Sequence, residues 1–108
     1  MSDEAAEVLA ASLIDDGGVP VLVVRGELDA YSAPTLDSAV DEALQSGVRS
    51  LVLDLAAVGF IDSSGLRSMI RARRLFGDDS GALRIRNAQP ATVRLLDITG
   101  LTDHFPRA

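Results

Sequence analysis

The chain contains neither cysteine nor lysine, and each absence excludes several kinds of chemistry. Without cysteine there is no disulfide, no thiolate nucleophile and no cysteine-ligated zinc or iron–sulfur site. Without lysine there is no amine for a Schiff base and no lysine for a phosphate-binding loop. A single histidine, His104, remains as a candidate imidazole base or metal ligand.

Positive charge, aromatic rings and long apolar runs are also scarce. Sixteen acidic residues face ten arginines, which makes the formal charge −6, and the aromatic residues are three Phe and one Tyr. Nucleic acids and anionic membranes attract basic proteins, so neither is an expected partner. The longest uncharged run is eight residues, 17–24, whereas a membrane-spanning helix needs about 20. The acidic start, with Asp3, Glu4 and Glu7, is unlike a secretory signal. We therefore expect a cytoplasmic protein.

The 108 residues, 47% hydrophobic and 24% charged, are typical of one globular domain, which we expect to span residues 1–108. The charge is divided unequally along the chain. Residues 1–47 hold ten acids and one arginine, whereas residues 48–108 hold six acids and nine arginines. The division is either incidental to a solvated surface or connected with function, and the sequence leaves both interpretations open.

Hydrophobic periodicity and turn residues predict strands that alternate with helices after an opening hairpin. The predicted strands are residues 8–14, 19–28, 50–55 and 82–86. The predicted helices run from an N-cap at Ser32 to Gly47, from Ser63 or Ser64 to Gly77, and from Pro90 to Gly100 with Val93 and Leu96 directed inward. This order predicts an α/β fold with a mixed sheet.

Two loops lie where a strand passes into a helix, at residues 26–29 and 59–65. In open α/β sheets such loops form the functional edge, and they lie side by side if their strands are neighbours. Asp62-Ser63-Ser64-Gly65 has two interpretations. The Asp or a Ser caps the helix and the Gly allows a tight bend, or the helix N-terminus accepts an anion, so that the fold would tolerate a phosphate on a serine.

The segment VGFIDSSGL at residues 58–66, preceded by LVLDL at residues 51–55, resembles the signature of the anti-sigma factor antagonists of the STAS domain family. GELD at residues 26–29 and PATVRLLDITGL at residues 90–101 resemble two further family motifs. The motifs occur in the family's order and spacing and cover nearly the whole chain. The resemblance implies a STAS-type mixed sheet of four to five strands, opening with an antiparallel hairpin and continuing with parallel strands, with three or more helices packed on it.

The resemblance also implies a function in bacterial transcription regulation. In this family the unphosphorylated antagonist binds an anti-sigma factor that is itself a serine kinase, and the sigma factor is released. Phosphorylation of the first serine of the Asp-Ser-Ser-Gly loop abolishes binding, and a PP2C-type phosphatase restores it. By resemblance the phosphoacceptor is Ser63, Asp62 orients its hydroxyl, Asp29 lines the same surface, and Ser64 has a capping role. The chain then needs no cofactor, because nucleotide and magnesium belong to the kinase.

The implied partner-binding surface consists of Asp29, Asp62, Ser63, Ser64, Gly65 and Arg67. Four arginines crowd the helix that follows Ser63: Arg67, Arg71, Arg73 and Arg74. They form either an exposed face whose side-chain stems cover apolar surface, or a patch for an acidic partner or a counter-charge for a phosphate. Arg67 lies one helical turn from Ser63.

Other functions fit the residues less well. A serine hydrolase needs a base near Ser63 and a Gly-x-Ser-x-Gly elbow, which the sequence lacks. A phospho-aspartate receiver domain pairs its acidic pocket with a lysine. The Asp15-Asp16 and Asp78-Asp79 pairs are typical of turns rather than of metal sites. We therefore expect no enzyme and no metal. The remaining alternative is a STAS scaffold, transport-complex subunit or ligand-sensing module that is not regulated by phosphorylation.

Overall fold

A computed structural model describes residues 9–78 and 80–108 of the chain. The strands are β1 (Leu9–Asp16), β2 (Val19–Leu28), β3 (Leu51–Ile61) and β4 (Leu83–Arg86). The helices are α1 (Ala33–Gln45), α2 (Ser63–Phe76) and α3 (Pro90–Ile98), with a 3-10 turn at Thr102–His104. The strand order is β1-β2-β3-β4; β1 is antiparallel to β2, and the other pairs are parallel. The predicted mixed α/β sheet is confirmed.

The main core lies on one face of this sheet. Leu22, Leu53 and Ile85 stand opposite one another in the strand register and are each no more than 1% exposed. Because side chains alternate between faces along a strand, this row lies on a single face. Right-handed crossovers place α1 and α2 on the same side of the sheet. The helices contribute apolar residues to this core, among them Leu36, Val40, Leu66, Met69 and Leu96.

β3 is longer than the sequence predicted, since it runs to Ile61 rather than to residue 55. Its second half pairs with residues 25–28 of β2, and the register shifts twice along this stretch. Ala56, Ala57, Gly59 and Phe60 are exposed, so this half lacks the continuous apolar pattern on which the prediction depended. The second half of β3 is therefore held in the sheet by backbone pairing with β2 and not by burial of its side chains.

The hairpin tip is shorter than predicted. Asp15 and Asp16 belong to β1, and Gly17 and Gly18 alone form the turn, both with positive φ as a tight turn requires. Val8, which we placed in the first strand, lies outside the described residues, as does Asp79 of the predicted loop at residues 78–81.

The third helix is rotated from the orientation that we predicted. Thr92 and Leu96 are buried at 2% and 0% exposure, whereas Val93 is 36% exposed. Residues four apart lie on one helical face, so the Thr92–Leu96 pair defines the side that packs and turns Val93 outward.

The segment after α3 contributes a core residue that the sequence analysis missed. Phe105 is only 1% exposed. The next residues follow β4, where the Ile85 N–H donates to Pro106 O at 2.9 Å and the Ala108 N–H donates to Ile85 O at 2.8 Å. These bonds cover the outer edge of β4, which would otherwise present unpaired backbone groups.

Charged side chains join the two edge strands across the sheet. Arg86 on β4 donates from Nε to Asp54 on β3 at 2.9 Å and from an Nη to Asp16 on β1 at 2.8 Å. Burial disfavours the ionised form of Asp54, but hydrogen bonds from the Ala56 N–H and from Arg86 outweigh it, so the pKa of this carboxyl lies below its usual value. The hydrogen bond to Asp16, followed by the one to Asp54, raises the pKa of Arg86.

Across residues 9–78 and 80–108, each helix is too short or too polar to cross a lipid bilayer.

Candidate functional site

The carboxyl ends of β2 and β3 meet at one edge of the sheet, as we predicted for the two loops. Leu28 at the end of β2 stands opposite Ile61 at the end of β3. The Asp62 N–H donates to Leu28 O at 3.2 Å and ties the start of α2 to the end of β2. The residues that follow the two strands therefore form one surface.

Gly65 makes this junction possible because the two backbones approach so closely there. A Cβ at this position would lie 2.6 Å from Leu28 Cγ, 2.6 Å from Leu28 O and 3.0 Å from Ile61 Cγ1. Gly65 lies inside α2 and is buried, so its role is close packing rather than the tight bend that we expected. It holds the residues of this surface in position through the backbone.

Asp62 is the N-cap of α2. Its Oδ1 accepts from the Ser64 N–H at 2.9 Å and from the Gly65 N–H at 3.1 Å. The capping role that we assigned to Ser64 is therefore wrong: Ser64 contributes the N–H that is capped, and Asp62 supplies the oxygen. A carboxylate also interacts favourably with the positive end of the helix dipole.

Ser63 occupies the first position of α2 and is exposed. No hydrogen bond to its hydroxyl is present within the described part of the chain. Asp62 beside it is half-buried. The site thus presents a free hydroxyl on a backbone that its neighbours hold in place.

The first loop is built around Asp29 and Ser32, which bond each other reciprocally. The Ser32 N–H donates to Asp29 Oδ1 at 3.0 Å, and the Asp29 N–H donates to Ser32 Oγ at 3.0 Å. The Ser32 hydroxyl donates to Glu27 O at 2.6 Å. Ser32 precedes α1 as predicted, but its side chain makes no capping bond to the helix. Asp29 and Ser32 instead exchange side-chain and backbone hydrogen bonds with each other, in the reciprocal manner of a capping box.

Two exposed aromatic side chains were missed as functional candidates. Phe60 at the end of β3 is 48% exposed, and Tyr31 in the first loop is 76% exposed. Both belong to segments that lead into the site. Exposed aromatic residues are enriched at protein interfaces. The sequence signal was a large aromatic residue within a segment otherwise predicted as a loop.

Arg67 and Ser64 line a depression of about 670 Å³ that lies between α1 and α2. On its wall, Arg71 on α2 donates to Asp41 on α1 at 2.9 Å and lies 3.6 Å from Asp37 Oδ1. This ion-pair cluster joins the two helices. Arg67, one turn earlier on α2, differs from Arg71 because it makes no ion pair with any described residue.

The described residues contain no group of three or more His, Asp or Glu side chains arranged to hold a metal ion. Within the same residues, no imidazole bonds to Ser63; His104 lies in the 3-10 turn after α3. Within the described residues, the exposed Ser63 hydroxyl therefore has no base in hydrogen-bonding contact.

The sequence matches the STAS domain family over residues 10–107. The chain belongs to the STAS domain family. Among its relatives, the anti-sigma-B factor antagonist of Bacillus subtilis (strain 168) is 34% identical over 80 residues, which are 74% of this chain and 72% of that protein. Antagonists of this kind are regulatory binding proteins and not enzymes.

Solved structures with the same fold include an anti-sigma factor antagonist from Mycobacterium paratuberculosis. It matches with a TM-score of 0.80 and 32% identity and covers 92% of this chain and 84% of its own. The unphosphorylated form of the anti-sigma factor antagonist SpoIIAA matches with a TM-score of 0.73 and 21% identity over 92% of this chain and 88% of that one. The latter similarity shows the STAS fold, with its mixed four-stranded sheet.

Proposed function

We propose that this chain is an anti-sigma factor antagonist whose binding to its anti-sigma factor is switched by phosphorylation of Ser63. The relatives at 34% and 32% identity are named as anti-sigma factor antagonists, which supports an anti-sigma factor as partner. The observation that carries the switch is the exposed, unbonded hydroxyl of Ser63 on a backbone locked by Asp62 and Gly65.

A phosphate at this position changes the surface rather than the fold. The N–H groups of Ser64 and Gly65 already bond to Asp62, so a phosphate on Ser63 displaces no bond that holds α2. It adds about −1.5 to −2 charges beside the Asp62 carboxylate. A partner that docks there must desolvate or approach this charge, and binding weakens.

The chemistry of the switch belongs to the partners. A serine hydroxyl is a weak nucleophile at neutral pH, and a kinase supplies the base, the nucleotide and the metal ion. We assign phosphorylation to an anti-sigma factor serine kinase and dephosphorylation to a PP2C-type phosphatase. The proposal places the chain in the cytoplasm of a bacterial cell.

The exposed rings of Phe60 and Tyr31 belong to the two segments that lead into the site and are candidates for apolar contacts with the partner. Aromatic side chains often supply a large part of the binding energy at interfaces. In this arrangement Asp29, Asp62 and Ser63 form the polar part of the docking surface, and Gly65 holds the parts together.

The test is phosphorylation and binding with the purified anti-sigma factor from the same organism. With ATP, mass spectrometry is expected to find the phosphate on Ser63 in the native chain and in the Ser64→Ala control, and to find none in Ser63→Ala. Ser63→Ala is expected to bind tightly and to resist release, whereas Ser63→Glu binds weakly. Phosphate on Ser64 with Ser63 unmodified would contradict the assignment. Equal binding of the Ala and Glu variants would favour a STAS module that phosphorylation does not regulate.

A further inference from the structure

The arginines that crowd α2 divide into two groups in the structure. Arg71 is neutralised by Asp37 and Asp41, and Arg73 pairs with Asp78 at 3.2 Å. Arg67 and Arg74 are exposed, and neither forms an ion pair with a residue at positions 9–78 or 80–108. Two cations of this surface therefore remain uncompensated.

Arg67 and Arg74 lie on one line along the helix. Seven residues make almost two full turns, so the two side chains start about 10 Å apart on the same face. Both line the depression between α1 and α2. This depression also reaches Ser64, which adjoins Ser63.

Apart from these two arginines, the Arg71–Asp37 ion pair and two serines, the lining is apolar. It includes Ile70 and Leu75 from α2 and Ala33 and Pro34 from α1. Leu75 is 44% exposed, so its side chain is accessible from the groove. The groove between the two helices thus has an arginine near each end and apolar side chains in its lining. An amphipathic helix with acidic residues would fit such a groove.

Deeper in the wall, two polar atoms lack a hydrogen bond. Asp37 Oδ1 and an Nη of Arg71 are buried without a hydrogen-bond partner in the described structure. They lie 3.6 Å from each other, which is an ion-pair distance but too long for a good hydrogen bond. Their opposite charges compensate each other, so this pair is a fixed part of the wall and not a contact for a bound segment.

We infer that this groove is a docking site for an acidic amphipathic helix of the anti-sigma factor, with two carboxylates about two turns apart that pair with Arg67 and Arg74. The inference rests on the proposed function and extends it, because it adds a second contact region next to the switch. A nucleic acid is not the expected ligand of this groove, because Asp37 lies in the groove wall and the formal net charge of the chain is −6.

The groove gives the phosphate switch a positive counterpart. The cations of the groove pair with the carboxylates of the partner at short range, whereas the charge on Ser63 decides whether the complex persists. The division of charge along the sequence thereby acquires a role, because α2 belongs to the arginine-rich half of the chain.

The test compares two double variants of equal charge, both in a Ser63→Ala background that prevents phosphorylation. The groove variant is Arg67→Glu with Arg74→Glu. The control is Arg49→Glu with Arg94→Glu, two exposed arginines that do not line the groove. Each variant changes the net charge by −4, from −6 to −10, so long-range repulsion is matched. Circular dichroism and urea denaturation check that both variants are folded.

Titration calorimetry with the purified anti-sigma factor is expected to show at least about tenfold weaker binding for the groove variant than for the control. High salt should weaken the binding of the control and remove most of this difference. In the Ser63-containing forms, the groove substitutions should raise the KM for phosphorylation more than the control substitutions do.

Equal affinity of the groove and control variants would overturn the inference and leave the Ser63 switch standing. If the anti-sigma factor binds no form of the chain, the proposed function fails and the docking site fails with it. Sedimentation of the free chain tests the other occupant, a second copy, since α1 is itself acidic. A dimer that the groove variant alone abolishes would overturn the inference in favour of self-association.

Discussion

The junctions before α1 and before α2 are built from the same residue types but leave their serines in opposite states. Each begins with an aspartate at the end of a strand, Asp29 or Asp62, whose side chain accepts from backbone N–H groups. In the first, the hydroxyl of Ser32 donates to Glu27 O, and the residue is 3% exposed. In the second, Ser63 is exposed, and its hydroxyl forms no hydrogen bond with residues 9–78 or 80–108.

The difference shows that the aspartate decides whether its serine is available. At α2 the Asp62 carboxylate satisfies two N–H groups by itself, so no serine hydroxyl is needed to hold the helix start. At α1 the aspartate and the serine bond to each other, so the serine hydroxyl is occupied by hydrogen bonds within the turn. The proposed function needs an accessible serine hydroxyl, and of these two serines only Ser63 is exposed.

The largest expected effect comes from breaking the close contact that the second junction has and the first lacks. Gly65→Ala forces a Cβ to within 2.6 Å of the Leu28 carbonyl oxygen, so we expect a loss of roughly 1–3 kcal/mol in the free energy of unfolding. Gly59→Ala is the control, because a Cβ there meets nothing within 4 Å. Urea denaturation measures both. Equal stability of the two variants would show that the junction relaxes freely.

Asp54 extends the comparison to an aspartate outside both junctions. Its pKa is lowered, so its carboxylate stabilises the fold above the unfolded pKa, near 3.8, and this contribution is lost as the pH falls through the folded value. Asp54→Asn should cost roughly 1–2 kcal/mol at neutral pH, and its difference from the native chain should shrink in acid. Urea denaturation from pH 7 to pH 3 measures this difference. A difference that stays constant with pH would contradict the assigned network.

The two serines test the comparison directly. Ser32→Ala removes a buried hydroxyl that makes two hydrogen bonds, and we expect it to lower the free energy of unfolding by about 1–2 kcal/mol. Ser63→Ala removes an unbonded, exposed hydroxyl and should change stability by less than about 0.5 kcal/mol. Thermal and urea unfolding of both variants measure the two losses in the free energy of unfolding. Comparable losses would mean that Ser63 also has a structural role.

The cap of α2 should give a smaller loss of stability than the Gly65, Asp54 and Ser32 substitutions. Asp62→Ala removes the acceptor of two N–H groups and should cost about 1 kcal/mol, whereas Asp62→Asn retains a capping oxygen and should cost a few tenths. Hydrogen exchange at the amides of Ser64 and Gly65 reports the cap locally. If those amides exchange at the native rate in Asp62→Ala, the cap does not hold the loop.

The strand and helix order could be predicted because its signals are local. Paired glycines at residues 17–18, the apolar run at residues 51–53 and Pro90 each specify a turn, a buried strand or a helix start through neighbouring residues alone. The end of β3 could not be predicted in this way, because its last residues are exposed and are held by pairing with β2. Phe105 was missed for a related reason, since its burial depends on where the chain returns along β4.

The sequence by itself determined the family, the α/β order and the candidate serine, because these reside in short motifs and in periodicities of two and 3.6 residues. The tertiary structure alone decided which side chains meet. It showed that Gly65 packs on Leu28 and that Asp62 rather than Ser64 caps α2. It also showed that two arginines of α2 form no ion pair with a residue of the described part of the chain. The absence of lysine and cysteine excluded chemistry from the first inspection, but only the packing of α1 against α2 distinguished the arginines that stabilise the fold from those that face outward.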